Sequence, residues 1–308
     1  MQGKRRPVSE EEERLQMSEQ SAEESGNGAG IRYEEPGEGV ARIVLARPEA
    51  RNAQDKPMLY ALNAAFDRAA QDDAVRCIIL AADGPHFSSG HDLRDGSAIT
   101  DFDLVGTWGG TTLPGAEGHM AVEHEIYLGF CWRWRNLPKP TIAQVQGKTI
   151  AGGLMLAWVC DLIVASDDAT FADPVVAFGV NGVEYFAHPW EVGPRKAKEM
   201  LFTGEPLTAA EAKTLGMVNR VVSAERLESY TLEMASHIAK RPSMGLKLAK
   251  QSVNQMQDAQ GLWPSLQAAM SLQQLGHSHN AQIHKIPVDP AGLQIIRDQA
   301  KAGRKFEE

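Results

Sequence analysis

The chain has 308 residues, of which 43% are hydrophobic and 23% are charged, a composition typical of a globular protein with a large core. Its 40 acidic and 31 basic residues give a formal net charge of −9 at pH 7, which argues against a nucleic-acid partner and against an anionic membrane surface. Three cysteines without pairing or metal-ligand spacing, and no apolar run of membrane-spanning length, lead us to expect a reducing, cytoplasmic environment. An anionic small-molecule substrate is compatible with this charge, because a few local basic side chains suffice to hold it.

The chain begins with a segment that shows no hydrophobic periodicity. Residues 1–30 carry the acidic run Glu10–Glu13 and end in a glycine-rich stretch, so we expect a disordered acidic arm there. Beyond it the pattern predicts a strand, a helix with one apolar side and a buried strand, which together form a βαβ unit. The same alternation recurs up to about residue 165. The predicted elements are the strand Val40–Leu45, a helix through Leu59, Leu62, Phe66 and Ala69, the strand Arg76–Ala82, a helix Glu123–Arg135, the strand Thr141–Gln146, an apolar helix from Leu154 and the strand Asp161–Ala165.

Helices dominate after about residue 195. Thr208 and the glutamate three residues later form a capping box, and Gly216 is well placed to end that short helix. Ser223 is a candidate cap for a longer helix, and another helix follows Ser243. We expect this helical third of the chain to pack against something other than its own sheet.

Two glycine turns follow predicted strands. The first is the stretch HFSSGHDL, from His86 to Leu93, and in the second an apolar helix starts directly after Gly152 and Gly153. A helix start exposes free backbone N–H groups, reinforced by the helix dipole. If the two turns meet, their amides form an oxyanion hole suited to a carbonyl oxygen that becomes an enolate. Each turn alone is more often an ordinary connection of an α/β sheet.

Five motifs, in order over residues 31–255, together resemble the enoyl-CoA hydratase/isomerase (crotonase) superfamily. They are RPEARNA at Arg47–Ala53, FSSGHDL at Phe87–Leu93, Gly147 with the AGG of residues 151–153, the pair Cys160 and Asp161, and FTG at Phe202–Gly204 followed by residues 209–216 and by Val218 and Asn219.

The resemblance implies a fold and an assembly. The fold is an α/β spiral of ββα units in two roughly perpendicular sheets, with the core over residues 31–200 and a helical trimerisation region over 201–308. Members are usually homotrimers or dimers of trimers. They act on acyl-CoA thioesters, so coenzyme A is expected as part of the substrate, with neither a prosthetic group nor a metal ion.

The resemblance also implies site residues. The two oxyanion-hole amides would belong to His91 and Gly152. The adenine and 3′-phosphate end of coenzyme A would lie near a short set of residues from two loops: Ala50, Arg51, Ala53, Ser89 and Gly90. A nucleophilic role for Ser88 is not expected, because the Gly-x-Ser-x-Gly spacing of a nucleophile elbow is missing. Asp92 is interpreted as a tether of the turn.

The chain departs from the family pattern at the positions of its acids and bases. Family hydratases carry glutamates where this sequence has Met155 and Val175, and other members carry an aspartate where it has Val183. None of these three side chains can transfer a proton. Simple two-glutamate hydration is therefore not expected.

Other titratable groups are candidates for proton transfer. Asp173, Glu184 and His119 lie close to the vacant positions or on the segment that would line the acyl pocket. Each has a structural alternative: Asp173 as a brace before Pro174, Glu184 as a solvated helix residue, and His119 as a pocket wall. His124 is interpreted in the same way as His119.

The remaining polar and aromatic groups are given structural interpretations. Tyr185 and His188 are expected to pack in the core. We interpret the histidines at 277 and 279 as loop residues without metal-ligand spacing. Residues 95–119 read as a long loop over the acyl pocket. Five aromatic residues are interpreted either as core or as the wall of a pocket for a bulky or cyclic acyl group: Trp108, Tyr127, Phe130, Trp132 and Trp134.

The sequence is compatible with three functions. The first is an enzyme that acts on an acyl-CoA through an enolate. The second is a C–C hydrolase of a cyclic diketone, which the superfamily includes. The third is a catalytically silent acyl-CoA-binding subunit, which the missing carboxylates favour.

Overall fold

The computed structural model describes residues 28–303 and residue 305, so the acidic arm expected over residues 1–30 lies, up to residue 27, outside the described residues. Within this described part of the chain, nine strands form two sheets. In chain order they are β1 Ile31–Gly37, β2 Val40–Leu45, β3 Cys77–Ala82, β4 Thr141–Val145, β5 Lys148–Ile150, β6 Leu162–Ser166, β7 Thr170–Ala172, β8 Leu207–Thr208 and β9 Arg220–Val222.

The larger sheet has the strand order β1-β2-β3-β4-β6-β9, and the smaller one has the order β5-β7-β8. Within the larger sheet β1 is antiparallel to β2, and every other pair is parallel. In the smaller sheet β5 is parallel to β7, which is antiparallel to β8. Two sheets and parallel crossovers agree with the α/β spiral that the sequence predicts.

Eleven α-helices are formed by the described residues. They are α1 Lys56–Gln71, α2 Gly115–Glu123, α3 Phe130–Arg135, α4 Gly152–Trp158, α5 His188–Val192, α6 Pro194–Thr203, α7 Ala209–Leu215, α8 Leu227–Ala239, α9 Ser243–Ala259, α10 Leu262–His284 and α11 Gly292–Ala302. A π-helical turn, His124–Gly129, joins α2 to α3.

The predicted βαβ unit is formed by β2, α1 and β3. The side chain of Asp55 caps α1 by accepting a hydrogen bond from the amide of Met58, and the apolar side of α1 is buried. β3 runs parallel to β2 with Val40 opposite Cys77. Because both strands are buried on both faces, they are nearly continuous runs of apolar residues.

The helical third of the chain was expected to pack away from its own sheet, and for α8 this is wrong. Leu227 and Ala235 of α8 are buried in one cluster with Val44 and Ile79 of the larger sheet. Strands β8 and β9 lie beyond residue 200 and pair with β7 and β6. Burial of an apolar helix side on the open face of the sheet accounts for this packing.

The predicted helix ends are confirmed in part. Thr208 and Glu211 form the capping box of α7, and Gly216 ends it in the left-handed conformation. Ser223 instead precedes a 3₁₀ turn, Ala224–Arg226, and makes no capping hydrogen bond to it. The histidines at 277 and 279 lie inside α10, so their interpretation as loop residues is wrong. Among the described residues no helix is long and apolar enough to cross a membrane.

Candidate active site

The two glycine turns lie against each other. Ile150 donates its backbone N–H to the Ser88 carbonyl at 2.9 Å. Gly90 has a φ of +89°, and a Cβ there would lie 2.9 Å from the Ile150 oxygen and 3.1 Å from the Gly152 nitrogen. A Cβ on Gly153 would lie 2.6 Å from the Ser88 oxygen. Only glycine permits this approach, so the meeting of the turns depends on these residue types.

The amides of His91 and Gly152 are left out of the backbone ladders around them. Gln54 binds the turn on either side of His91, since its N–H donates to Gly90 and its carbonyl accepts from Asp92. In this parallel pairing the His91 N–H points away from Gln54. Gly152 is the first residue of α4, where an N–H has no partner within the helix.

The imidazole of His91 lies over Gly152. A Cβ on Gly152 would lie 2.5 Å from the His91 Cδ2 atom and 2.6 Å from Nε2. The ring stacks on Tyr127, with centroids 3.8 Å apart and planes 7° from parallel. The His91 Nε2 atom lies 3.6 Å from Oε2 of Glu184.

Three buried polar atoms around this point have no hydrogen-bond partner among the described residues: His91 Nε2, Glu184 Oε2 and Gln54 Oε1. Buried polar atoms are almost always satisfied, by protein or by water. The Gln54 oxygen also lies within 3.1 Å of a Cβ placed on Gly152. A substrate-binding site requires polar atoms of this kind, which are unpaired and close together.

The pKa values of Glu184 and His91 are shifted in opposite directions. Burial, and then the charges of Glu123 and Asp173, raise the pKa of Glu184 well above its ordinary value, while Gln273 donates to Oε1 of Glu184 at 2.8 Å. Burial lowers the pKa of His91 to about 4. The raised pKa favours the protonated carboxyl group of Glu184, and the lowered pKa favours the neutral imidazole of His91. The interpretation of Glu184 as a solvated helix residue is wrong, because only 4% of it is exposed and it lies in a loop.

Asp173 has the contacts of a brace. It is fully buried and accepts hydrogen bonds from the amides of Val175, at 3.2 Å, and Val183, at 3.0 Å. Its Oδ2 atom also lies 2.8 Å from Nε2 of the fully buried His188. These contacts hold the loop that presents Glu184 to His91, so Asp173 positions Glu184 through its loop.

The three positions where the family carries acids and bases are apolar in the folded protein as well. Met155 and Val183 are buried in the core, and Val175 is half-buried. The sulfur of Met155 accepts the amide hydrogen of Tyr185 at 3.4 Å. Tyr185 is buried beside it.

His119 belongs to a different group of side chains from His91. It lies on α2, with Nδ1 3.1 Å from Oε1 of Gln274 and Nε2 3.6 Å from Oε1 of Glu123. The two groups are linked through α10, since Gln273 binds Glu184 and the adjacent Gln274 binds Glu123 at 2.5 Å.

The residues expected at the adenine end of coenzyme A come together. The amide of Ser89 donates to the Arg51 carbonyl at 3.0 Å, which brings the loop of Ala50, Arg51 and Ala53 beside Ser89 and Gly90. Asn52 at the centre of that loop is fully buried with a φ of +52°. Its amide group donates to the carbonyls of residues 83 and 86 and accepts from the amide of residue 47.

Ser88 and Asp92 hold the first turn in shape. The hydroxyl of the fully buried Ser88 donates to the Asn52 carbonyl at 2.8 Å and accepts from the Gln54 side chain at 3.2 Å. Asp92 accepts from the amide and side chain of Arg94 and from Arg47. These contacts occupy Ser88 in the turn, so it is not poised as a nucleophile.

The aromatic residues divide between core and site. Trp134 is buried and donates to Asn63, and Trp132 packs on Trp263. Trp108 is half exposed and stacks on His124. Of the five predicted aromatic residues, Tyr127 is the one that stacks on His91.

The long loop expected over residues 95–119 ends at Pro114, where α2 begins. Glu125 fastens it by accepting hydrogen bonds from the amides of Val105 and Gly106, at 2.6 and 2.8 Å.

Comparison with known proteins identifies the family. Residues 35–104 and 110–285 match the family model described as enoyl-CoA hydratase/isomerase. EchA13 of Mycobacterium tuberculosis, whose name describes an enoyl-CoA hydratase, is 48% identical over 261 residues, which cover 82% of each chain. The human mitochondrial enoyl-CoA hydratase domain-containing protein 3 is 36% identical over 71% of each chain. A crystal structure of a probable enoyl-CoA hydratase from Mycobacterium smegmatis is 46% identical, with a TM-score of 0.77 over 85% of this chain and 100% of that one. The chain belongs to the enoyl-CoA hydratase/isomerase family and is an enzyme of the crotonase fold.

Proposed function

We propose that the protein acts on an acyl-CoA thioester and that the amides of His91 and Gly152 stabilise the enolate formed from it. The observation that carries this proposal is the contact between the two turns, which brings both free amides beneath a buried acid and base. The thioester oxygen accepts both N–H groups. Each donor that is fixed in place in this way raises the rate by about 10²–10³-fold.

Glu184 and the imidazole of His91 move the protons in this proposal. Glu184 is the acid, because its raised pKa keeps it protonated near neutral pH. His91 is the base, because its lowered pKa keeps the imidazole neutral near pH 7. Tyr127 holds the ring by stacking on it, and Gln273 orients the carboxyl group.

We infer that the reaction is not simple two-glutamate hydration. Met155, Val175 and Val183 occupy the usual acid and base positions, and none of them can exchange a proton. Isomerisation, cleavage of a ring or C–C bond, or another enolate reaction fits the Glu184–His91 pair better. The same three residues motivate the alternative function, a catalytically silent acyl-CoA-binding subunit.

We also propose that the chain works as a homotrimer or a dimer of trimers, with coenzyme A held as part of the substrate by the loop that contains Arg51 and by Ser89. Exposed apolar side chains on two C-terminal helices support an assembly: Met244, Leu248, Val253 and Met256 of α9, and Leu272, Leu275 and Ile283 of α10. Exposed apolar patches of this kind mark protein interfaces.

A panel of acyl-CoA thioesters, cyclic ones included, tests the proposal. We expect coenzyme A itself to bind in the micromolar range and at least one thioester to give a product detectable by mass spectrometry. We expect crotonyl-CoA to lose little of its enoyl absorbance. Coenzyme A binding without any product would favour the silent subunit, and the absence of coenzyme A binding would favour the cyclic-diketone hydrolase.

A further inference from the structure

Two histidines and a glutamate converge where α2 meets α10. The His119 cluster consists of His119 and Glu123 on α2 and of Gln274 and His277 on α10. Nε2 of His119 lies 3.6 Å, and Nε2 of His277 lies 3.3 Å, from the same oxygen of the glutamate, Oε1. The three ligand atoms all lie within 4.8 Å of one another.

The other nitrogen of each ring is held by a carbonyl oxygen. Nδ1 of His277 lies 2.6 Å from the Pro287 carbonyl, and Nδ1 of His119 lies 3.1 Å from Oε1 of Gln274. A carbonyl oxygen can only accept, so both Nδ1 atoms carry a hydrogen, and in the neutral rings both Nε2 atoms present a lone pair. The same Gln274 donates its NH₂ group to the second oxygen of Glu123, at 2.5 Å.

When both rings are neutral, the Nε2 lone pairs face no hydrogen-bond donor. Nε2 of His277 is buried and has no hydrogen-bond partner among the described residues, and His277 itself is 8% exposed. The atom opposite it is a carboxylate oxygen of Glu123, which is equally buried and only accepts. Three electron-pair donors that face one another at a buried point need a shared electrophile, either a proton or a metal ion. A proton on His277 would pair only with Glu123, which raises the pKa of that histidine, whereas a metal ion would engage all three donors.

We propose that Nε2 of His119, Nε2 of His277 and Oε1 of Glu123 bind a divalent transition-metal ion, with zinc as the expected occupant. Two imidazoles and one carboxylate form a donor set that zinc binds at about 2.0–2.2 Å, which places tetrahedral ligands about 3.4 Å apart. The distances of 3.6 and 3.3 Å match this spacing. A ring nitrogen tied to a carbonyl oxygen is the arrangement that orients metal-binding histidines.

The geometry leaves room for a further ligand. The side chain of His119 is 34% exposed, whereas those of His277 and Glu123 are 10% and 11% exposed. A fourth coordination position on the His119 side is therefore open to water or to a small ligand. The site does not depend on the enolate chemistry proposed above, because it uses neither the two amides nor Glu184.

Metal content of the full-length protein, purified without a histidine tag, tests this inference. After EDTA treatment and its removal, we expect the wild type to bind one Co²⁺ per chain and to develop the visible absorption bands of a four- or five-coordinate cobalt site. Glu123→Gln and His277→Gln should each weaken cobalt binding by about tenfold or more. His279→Gln is the matched control, because His279 lies on the exposed side of the same helix, and it should bind cobalt as the wild type does.

The wild type alone provides a second test, should the variants fail to fold. X-ray absorption of the zinc-loaded protein should show two imidazole ligands and light oxygen ligands. A wild type that binds no cobalt at micromolar concentration would overturn the proposal. So would equal binding by the wild type and the two ligand variants, which would mean adventitious metal. In either case the cluster would be an ion pair between a protonated His277 and Glu123.

Discussion

Glu184 and His91 differ in protonation because burial acts on them in opposite directions. Burial penalises the charged form of any group, so it raises the pKa of the carboxyl group and lowers that of the imidazole. The two groups lie 3.6 Å apart. A proton donor and a proton acceptor are thus available side by side near neutral pH, although all three usual family positions are apolar.

Replacing Glu184 by glutamine should make the stability of the protein less sensitive to pH. The carboxyl group is ionised in the unfolded chain above about pH 4.3 but stays protonated in the folded protein, because its pKa there is raised. The wild type therefore loses stability as the pH rises from about 4.3 towards the raised pKa, and Glu184→Gln does not. Urea unfolding at pH 5 and pH 8 should show the advantage of the variant growing with pH. A constant difference would mean that Glu184 is ionised in the folded protein.

Gly152→Ala should greatly reduce turnover without abolishing coenzyme A binding. The new methyl group would lie 2.5 Å from the His91 ring, so it displaces the imidazole and disturbs the amide beside it. We expect turnover of the best thioester of the panel to fall by about 10²–10³-fold. Gly245→Ala, on α9 with no atom within 4 Å of the new methyl group, is the control and should retain activity. Equal activity of both variants would contradict the proposed oxyanion hole.

Part of this site is predictable from the sequence and part is not. The turns of His91 and Gly152, and the candidates Glu184 and His119, follow from local residue types. Tyr127 is predicted only as one of five aromatic residues of the core or the pocket wall. Gln54 and Gln273 are not predicted, since their side chains reach the site from other elements. A glutamine carries no titratable signal, and Tyr127 has the same pattern as the core aromatic residues around it.

At the scale of elements, strands β2, β3, β4 and β6 of the larger sheet are predictable because buried parallel strands are short apolar runs between turn residues. Strands β5, β7, β8 and β9 are not predictable, since each has only two or three residues and shows no hydrophobic periodicity. The docking of α8 on its own sheet also escapes prediction. An apolar helix side indicates burial but not the surface that buries it.

The side chain of Arg135 joins α3 to α9. It is buried, donates to the Asn254 carbonyl at 3.2 Å and to Gln257 at 3.0 Å, and lies 3.1 Å from the Asp258 carboxylate. Arg135→Leu leaves these acceptors unpaired, so we expect a loss of about 2–3 kcal/mol in the free energy of unfolding. Hydrogen exchange should also become faster along α9.

The control for this variant lies two residues earlier. Arg133 is 44% exposed and pairs with Asp67 at the surface, so Arg133→Leu should cost about 1 kcal/mol or less. If the two variants lose the same stability, Arg135 does not hold α9 in place.

At the scale of the whole molecule, the apolar side chains of α9 and α10 predict self-association. Leu275 is 65% exposed, and a charged residue there would be desolvated in an interface. We expect the wild type to sediment as a trimer or hexamer and Leu275→Glu to shift it towards monomer. Leu104→Glu, which changes an exposed leucine of the loop before α2, should leave the assembly intact. A wild type that is monomeric at micromolar concentration would contradict the proposed assembly.

The central claim is that two backbone amides and the Glu184–His91 pair form and discharge an enolate. The most direct measurement is the exchange of hydrogen at the carbon next to the thioester carbonyl. The best-binding acyl-CoA of the panel is incubated with the enzyme in D₂O, and deuterium uptake is followed by mass spectrometry. We expect uptake with the wild type and with Glu199→Gln, a change at an exposed glutamate of α6, and at least about 100-fold slower uptake with Glu184→Gln, although coenzyme A binds all three equally. Uptake by Glu184→Gln at the wild-type rate, or no uptake by the wild type with any bound thioester, would contradict the account.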